Sequence, residues 1–447
     1  MDLQEKKPGN WIKHHLLLTI LALILGFLTV KGIAGAIMSG NPFSLRQIVL
    51  SAVSQNVQED ENGHTNILLL GIGGEGHDGS NLTDTIMIAS IDNSNKSIAM
   101  LSTPRDLYVN NLEVGWSSRL NGVYQFILDK NEDKDEAMRV LIEQMQDIYD
   151  IKIQYFAKVD FKGFVDVVDA LGGVEVSPTE SIIDQFYPAP DGSSRIYDPL
   201  YIKAGTQTLD GTTALKYARS RETSSDFERA KRQQEILVAM KDKALSIGFL
   251  LNPLKIKNLY SAISSNFETN MTTAEMIYLA KISEQFDRSS ILQQVISDEA
   301  YKTAGFVYGP DRSLYGGAAV LIPTYGDFTE FKEFAKLFFF NQSVFIQQTP
   351  ITVLNGTSTE GLAVDVKLYL KRYGFNVVDH GNALTKDIAI STIQSDKETY
   401  ELLNELVPGE MVKQEDENTG IVITVGEDFL DFYKANSAKF YASYFYQ

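Results

Sequence analysis

The chain has 447 residues, a formal net charge of −18 and an apolar fraction of 44%, enough for an anchor and two or three well-cored domains. An acidic balance of this size disfavours non-specific nucleic-acid binding, which needs a positive surface to release counterions from phosphates. The absence of cysteine excludes disulfides, thiolate zinc sites and cysteine nucleophiles, and it fits an extracytoplasmic setting.

From Leu16 to Met38 the chain reads LLLTILALILGFLTVKGIAGAIM. The run is broken only by Lys31 and is long enough to cross a hydrocarbon core of roughly 30 Å. Lys6, Lys7 and Lys13 precede it, so the positive-inside rule places residues 1–15 in the cytoplasm and the remainder outside. A cleaved signal peptide is the rival reading. The run exceeds an h-region and no A-x-A site follows it, which favours a retained single-pass membrane anchor over 16–38. Residues 39–63 drift to polar and charged composition and read as a stalk.

A globular pattern begins at residue 64. Asn66 to Ile72 is a continuous apolar run, as expected of a buried strand. Thr85 to Ile91 and Ser97 to Leu101 are further strands joined by the turn-rich DNSNK, which predicts a hairpin. Asp133 to Tyr149 has helical spacing, Ile151 to Val159 alternates like a strand, and Phe161 to Leu171 is helical and stopped by Gly172 and Gly173. The prediction is an α/β layered core, a mixed sheet with flanking helices, over 64–285. Residues 286–348, with their aromatic and glycine-rich patches, stay unassigned. A second unit over 349–432 has the order βαββαβ, suited to a small α+β split-βαβ domain, and 433–447 form a tyrosine-rich tail.

Three segments carry chemistry. In ALKYARSRETSSDFERAKRQQ, Arg219 and Arg221 lie two apart in a segment expected to be extended, so both would point to one face. Arg229 and Gln233 are four apart on the helix that follows, with Arg232 adjacent. A helix N-terminus and several guanidiniums suit capture of a phosphate or pyrophosphate. The same arginines could instead pair with Glu222, Asp226 and Glu228 on a surface. At STPRDLYV an apolar strand ends, Pro104 turns the chain, and Arg105 and Asp106 follow where α/β sheets usually handle ligands. That pair could also be a turn-stabilising one. Arg119 in SSRLNGVY is a further candidate. The loop GIGGEGHDGSNLTDT could cradle an oxyanion through its amides, and Asp84 could ligate a hard cation such as magnesium. No nucleotide fingerprint or Ser/His/Asp set is present. His64, His77 and His380 read as surface residues.

The ordered blocks NILLLGI…TDTIMIASI, MLSTPRD, RLNGVY, YFAKVDFKGFVDVVDALGGVEV and AGTQTLDGTTALKYARSRETSSDFERAKRQQ together resemble the LytR-CpsA-Psr family over residues 64–285. Residues 349–432 resemble the C-terminal domain often attached to it. The resemblance implies a phosphotransferase that moves a glycopolymer from a polyprenyl-pyrophosphate carrier to peptidoglycan, forming a phosphodiester and releasing polyprenyl phosphate. It places Arg105, Arg219, Arg221, Arg229 and Gln233 in the pyrophosphate-binding set. Asp84 falls on the carboxylate associated with magnesium (or manganese), and Asp106 on the acid of the PRD motif. Asp106 would orient Arg105 or take the acceptor proton. One departure stands out: family members commonly carry an acid directly after LGI, where this chain has Gly73. The alternative function is a non-catalytic scaffold that binds the carrier lipid.

Overall fold

The computed structural model describes residues 57–440, except 78, 112, 188–196, 221–231, 233–234, 237–238, 241–242, 244–266, 273, 276–277, 280–281, 283–290 and 414–419. The expected anchor, most of the stalk, and Arg221, Arg229 and Gln233 therefore lie outside the described residues. The described chain folds into two compact units. One holds residues up to Met100, Asn121–Met138 and Lys152–Gln293; the other holds Leu101–Leu120, Arg139–Ile151 and residues from Gln294 on.

The centre of the fold is a mixed sheet of six strands. In chain order these are β1 (His64–Ile72), β2 (Thr83–Asp92), β3 (Ser97–Thr103), β6 (Tyr155–Asp160), β11 (Phe267–Thr269) and β12 (Ile291–Val295), arranged β11-β6-β1-β2-β3-β12. β1 runs antiparallel to β2 and parallel to β6. Between β3 and β6 come the hairpin strands β4 (Tyr108–Asn111) and β5 (Trp116–Arg119), then helices α1 (Val123–Asn131) and α2 (Lys134–Tyr149). After β6 follow α3 (Phe161–Leu171), β7 (Val174–Val176), β8 (Ile182–Asp184), β9 (Leu200–Ile202), β10 (Gln207–Leu209) and α4 (Gly211–Arg219). β7 pairs with β10 and β8 with β9, both antiparallel.

β1 is a continuous apolar run because both of its faces are covered. Ile67 and Leu69 pack with Val168 and Leu171 of α3 and Ala214 and Tyr217 of α4. The opposite face carries Lys158, whose ammonium donates to the Tyr124 hydroxyl of α1 at 2.6 Å and pairs with Glu268 at 2.7 Å. Helices thus lie on both faces, as predicted. α3 starts at Asp160, whose carboxylate accepts from the Gly163 amide, and ends at Gly172 with φ +81°, the left-handed stop that glycine permits. α4 crosses α3 at Gly211. A Cβ there would sit 2.3 Å from the Val165 carbonyl oxygen, so only glycine allows the approach.

Two expectations are corrected in this unit. The strand expected over 151–159 starts only at Tyr155; its lead-in is held by side-chain amides, with the Asn66 amide N–H donating to Gln154 Oε1 at 2.8 Å. His64 is not a surface residue: it is 4% exposed, with Nδ1 3.0 Å from the Ser90 hydroxyl and Nε2 3.7 Å from Asp92. Burial holds its pKa below the usual 6.5, with Asp92 pulling the other way. Between the lowered folded value and 6.5 the unfolded chain binds the extra proton, so stability falls as pH falls through that window. Urea midpoints measured from pH 7.5 to 5 are expected to drop less steeply for His64→Gln than for the natural chain. Parallel slopes would contradict this.

In the second unit, residues left unassigned by the sequence form β13 (Val307–Tyr308), β14 (Ile322–Pro323), α5 (Thr329–Phe340) and α6 (Gln342–Gln347). Phe331, Phe334 and Phe338 of α5 are fully buried. Their core includes Phe306 and Tyr373, with the rings of Phe306 and Phe334 5.3 Å apart at 62°, an edge-to-face arrangement favoured by ring quadrupoles. There follow β15 (Ile351–Asn355), α7 (Leu362–Arg372), β16 (Val377–Asn382), β17 (Thr392–Ser395), α8 (Lys397–Leu406), β18 (Glu410–Lys413), β19 (Ile421–Val425), α9 (Phe429–Ala435) and α10 (Ser437–Phe440). Their sheet has the order β16-β15-β19-β17-β18. The predicted split-βαβ topology is corrected here. β15 and β16 are parallel neighbours across α7, β17 and β18 are parallel neighbours across α8, and β19 lies between the two pairs. Neither βαβ is split.

Candidate functional site

In the first unit, chemistry gathers where β1 and β6 end. Ile72 is in register with Asp160, and the β1–β2 ladder slips between Gly71 and Ile72. Asp84 sits at this slip, as the second residue of β2, and is half-buried. The glycine-rich loop after β1 folds on itself. The Gly74 amide donates to Ser80 O at 2.8 Å and the His77 amide to Gly74 O at 3.3 Å. Those N–H groups are spent within the loop rather than aimed at an oxyanion. Gly74 has φ +80°, and a Cβ there would lie 2.8 Å from that of Asp160, so both backbone and space require glycine.

His77 packs its ring edge-on to Phe161 at 5.2 Å. This gives a local reason for the Gly73 departure. A Cβ at residue 73 would come within 3.1 Å of the His77 Cβ, so an acid there would compete with His77 for room. The guanidinium of Arg219 lies over the same Phe161 ring, 4.2 Å from its centroid, and donates to the Tyr187 hydroxyl at 3.3 Å. Burial pushes the Tyr187 phenol up, with Arg219 opposing. Stacking on Phe161 fixes the guanidinium plane while leaving its edge directions for hydrogen bonds.

The predicted extended geometry at Arg219 is corrected. Arg219 is the last residue of α4, which Asp210 caps by accepting from the Thr213 amide, and the chain leaves the helix at Ser220. Arg232 departs from the expected pyrophosphate-binding set. It is 6% exposed, its Nε donates to Tyr217 O at 2.8 Å, and its Nη2 donates to Ser220 O. It ties down the end of α4 and so supports Arg219 from behind.

In the second unit, Arg105, Asp106 and Arg119 come together. The Leu107 amide donates to Pro104 O at 3.1 Å, closing a turn with Arg105 and Asp106 at its centre. The backbone is pinned further by Leu321, whose amide donates to Asp106 O at 2.9 Å. The Asp106 carboxylate receives Arg119 Nη1 at 3.2 Å and has Arg105 Nε at 3.6 Å. All three side chains are between 34% and 45% exposed, so the pairs add little stability. What they do is hold two guanidiniums in place at the surface.

As to metal, no group of three His, Asp or Glu side chains comes together among the described residues. Asp84 alone fits an ion that takes one or two carboxylates from the protein and the rest of its ligands from water and substrate phosphates, as magnesium does. Sequence reasoning missed Phe161 and Tyr187. The only available signal for Phe161 was an aromatic directly after the strand-end acid Asp160.

Residues 29–315 match the LytR_cpsA_psr family, and residues 348–429 match the LytR cell envelope-related transcriptional attenuator. The chain is 26% identical over 420 residues to the cell wall biosynthesis protein LcpA of Corynebacterium glutamicum, covering 84% of this chain and 76% of that protein. It is 27% identical over 307 residues to the polyisoprenyl-teichoic acid–peptidoglycan teichoic acid transferase TagU of Bacillus cereus, covering 65% and 93%. The crystal structure of Bacillus subtilis TagV aligns with a TM-score of 0.45 at 25% identity, covering 63% of this chain and 98% of that one. Because the family match over residues 29–315 covers more than half of its length, the chain belongs to the LytR_cpsA_psr family and carries a LytR-type C-terminal domain behind it.

Proposed function

We propose that the chain is a cell-wall glycopolymer transferase, anchored in the cell membrane by residues 16–38 with its folded units outside. The donor is a glycopolymer on a polyprenyl-pyrophosphate carrier and the acceptor is a hydroxyl of peptidoglycan. The acceptor oxygen bonds to the phosphorus next to the glycopolymer, and the bond from that phosphorus to the bridging oxygen breaks. Polyprenyl phosphate leaves, and the acceptor proton is lost. Such a reaction needs charge neutralisation and alignment more than covalent help. The observation that carries the proposal is the pairing of Arg105 and Arg119 through Asp106 on a turn fixed by main-chain bonds. The relatives' names as teichoic acid transferases support it. Asp106, held between two guanidiniums, orients them. In the first unit, Arg219, which the family resemblance assigns to the pyrophosphate-binding set, is a fixed cation over Phe161. Magnesium held by Asp84 would neutralise phosphate charge.

The reading is tested on the purified full-length protein. Mass spectrometry of a solvent extract is expected to find a polyprenyl phosphate or pyrophosphate, depleted in Arg105→Ala and Arg219→Ala. Unchanged lipid in both variants would sink the arginine assignment. Transfer to peptidoglycan is expected to need magnesium and to stop with a chelator. A second reading, a scaffold that binds the carrier without turnover, is favoured by Gly73 standing where the family resemblance leads to the expectation of an acid. Lipid capture with no magnesium-dependent transfer would select it.

A further inference from the structure

The β4–β5 hairpin has one face turned inward and one outward. Val109, 1% exposed, lies opposite Ser118, and Asn111 lies opposite Trp116. Side chains alternate along a strand, so Tyr108, Asn110, Ser117 and Arg119 share the other face, where all but the half-buried Tyr108 are exposed. Register places Tyr108 directly across from Arg119 and Asn110 across from Ser117, within reach of one another. An aromatic side chain on the outward face of a short ribbon is the unusual element. It is held there by Tyr315, whose ring meets that of Tyr108 edge-on at 4.8 Å and 70°.

Tyr315 is itself fixed. It closes a single 3-10 turn, Arg312–Tyr315, whose start is capped by the Asp311 carboxylate accepting from the Ser313 amide and whose end is Gly316 at φ +63°. Leu314 on the same turn is 75% exposed. Arg119, at the base of the ribbon, is the residue that binds Asp106. Two rigid tyrosines, an amide, a hydroxyl, a guanidinium and a carboxylate therefore form a continuous surface ending at the Arg105–Asp106 turn. All of it lies within the second unit.

We infer that this surface docks a glycan chain, and that it is the acceptor side of the proposed transferase. A pyranose ring has an apolar C–H face and an edge of hydroxyl groups. Tyrosine offers a flat, amphipathic contact at low entropic cost, and Asn110, Arg119 and Asp106 present planar donors and acceptors to hydroxyl pairs. A protein partner would call for a larger apolar centre than Leu314 and two rings provide. A lipid surface would call for a basic amphipathic face, whereas here Arg105 and Arg119 are paired with Asp106. The inference rests on the transferase reading, and its test is arranged so that the two can fail separately.

The experiment uses the full-length protein, with solubilised, uncrosslinked peptidoglycan glycan chains as probe. Direct binding of the probe is expected to weaken about fivefold or more in Tyr315→Ala and in Asn110→Ala, with Tyr315→Phe close to the natural chain. In the transfer reaction, KM for the acceptor should rise by the same factor while kcat changes less. Asn110 is exposed, so its variant keeps the test alive if Tyr315→Ala does not fold. Natural-chain transfer with acceptor KM and probe binding unaltered in both variants overturns the docking surface and leaves the transferase standing. Probe binding that depends on Tyr315, in a protein that transfers nothing, overturns the transferase and leaves the docking surface. If phosphatidylglycerol vesicles, and not the probe, lose affinity in Tyr315→Ala, the surface is a membrane contact and the inference fails.

Discussion

Replacing Arg105 by alanine is expected to lower glycopolymer transfer by about 100- to 1,000-fold, the usual loss when one preorganised charge-stabilising donor is removed. Arg105 lies at the centre of a turn whose backbone is pinned by Pro104 O and by Leu321, so the place of its main chain does not depend on the side chains it meets. Asp106 is what aims it. Asp106→Asn keeps the shape and removes the charge that holds Arg105 and Arg119, so a loss of about 100-fold is expected. Groups that act as a unit are not additive, and the double variant should fall little further than Arg105→Ala alone. Steady-state transfer at saturating donor reads all three. Asp106→Asn at the natural rate, beside an inactive Arg105→Ala, would falsify the orienting role. Arg119→Ala should lose less, about tenfold, because Arg119 is the most exposed of the three.

The parts of this site that were legible in the sequence are those written in strand ends. A buried strand that stops at Pro104 announces the Arg105–Asp106 turn, and the glycine pair at 172–173 announces the end of α3. Arg219 was harder. The Arg219–Arg221 spacing predicts an extended segment, yet Asp210 caps a helix whose Ala214, Tyr217 and Ala218 recur at helical spacing and are buried. That signal was present, but a cap followed directly by glycine and two threonines reads locally as a turn. The partners of Arg219 were not legible at all. Phe161 and Tyr187 are both far from it in sequence: the packing of α3 against α4 brings Phe161 near, and Tyr187 reaches Arg219 from the segment after β8.

The C-terminal half shows the same division. Helices with clear caps, such as α8 behind Asp396, stand where the sequence predicts them. β18 was missed because all four of its residues are exposed, and alternation cannot mark a strand that buries neither face. The phenylalanines of α5 recur at 331, 334 and 338, a helical spacing. The residue before the helix, Phe328, has no side-chain cap; its start is marked one residue earlier by Asp327, whose carboxylate accepts from the Thr329 amide at 2.8 Å. The unsplit topology follows from strand neighbours, which a single sequence does not specify.

Arg372→Met is expected to destabilise the second unit by about 3–5 kcal/mol, the cost of breaking a buried ion pair from one side. The Arg372 and Glu330 side chains are 2% and 1% exposed, with Nη2 and Oε1 2.9 Å apart. Arg372 also donates to Gly305 O at 3.0 Å, to Lys439 O at 2.7 Å and to Thr324 Oγ1 at 3.1 Å. One guanidinium at the end of α7 thus ties together the linker before α5, the start of α5 and α10. Methionine fills the volume but leaves Glu330 buried without its cation. Burial already pushes the Glu330 carboxyl up, with Arg372 pulling it down, so in the variant its pKa rises further. A raised folded value gives stability that is present at acidic pH and lost as pH rises, so the variant should be less impaired at pH 5 than at pH 7.5. Arg372→Met combined with Glu330→Gln removes the stranded charge and is expected to recover much of the loss. The chain has two tryptophans, Trp11 and Trp116. Trp116 belongs to the second unit, so urea unfolding followed by its fluorescence in a Trp11→Phe background measures each step. Equal losses at both pH values, or no recovery in the double variant, would mean that packing around Arg372 dominates over its charge.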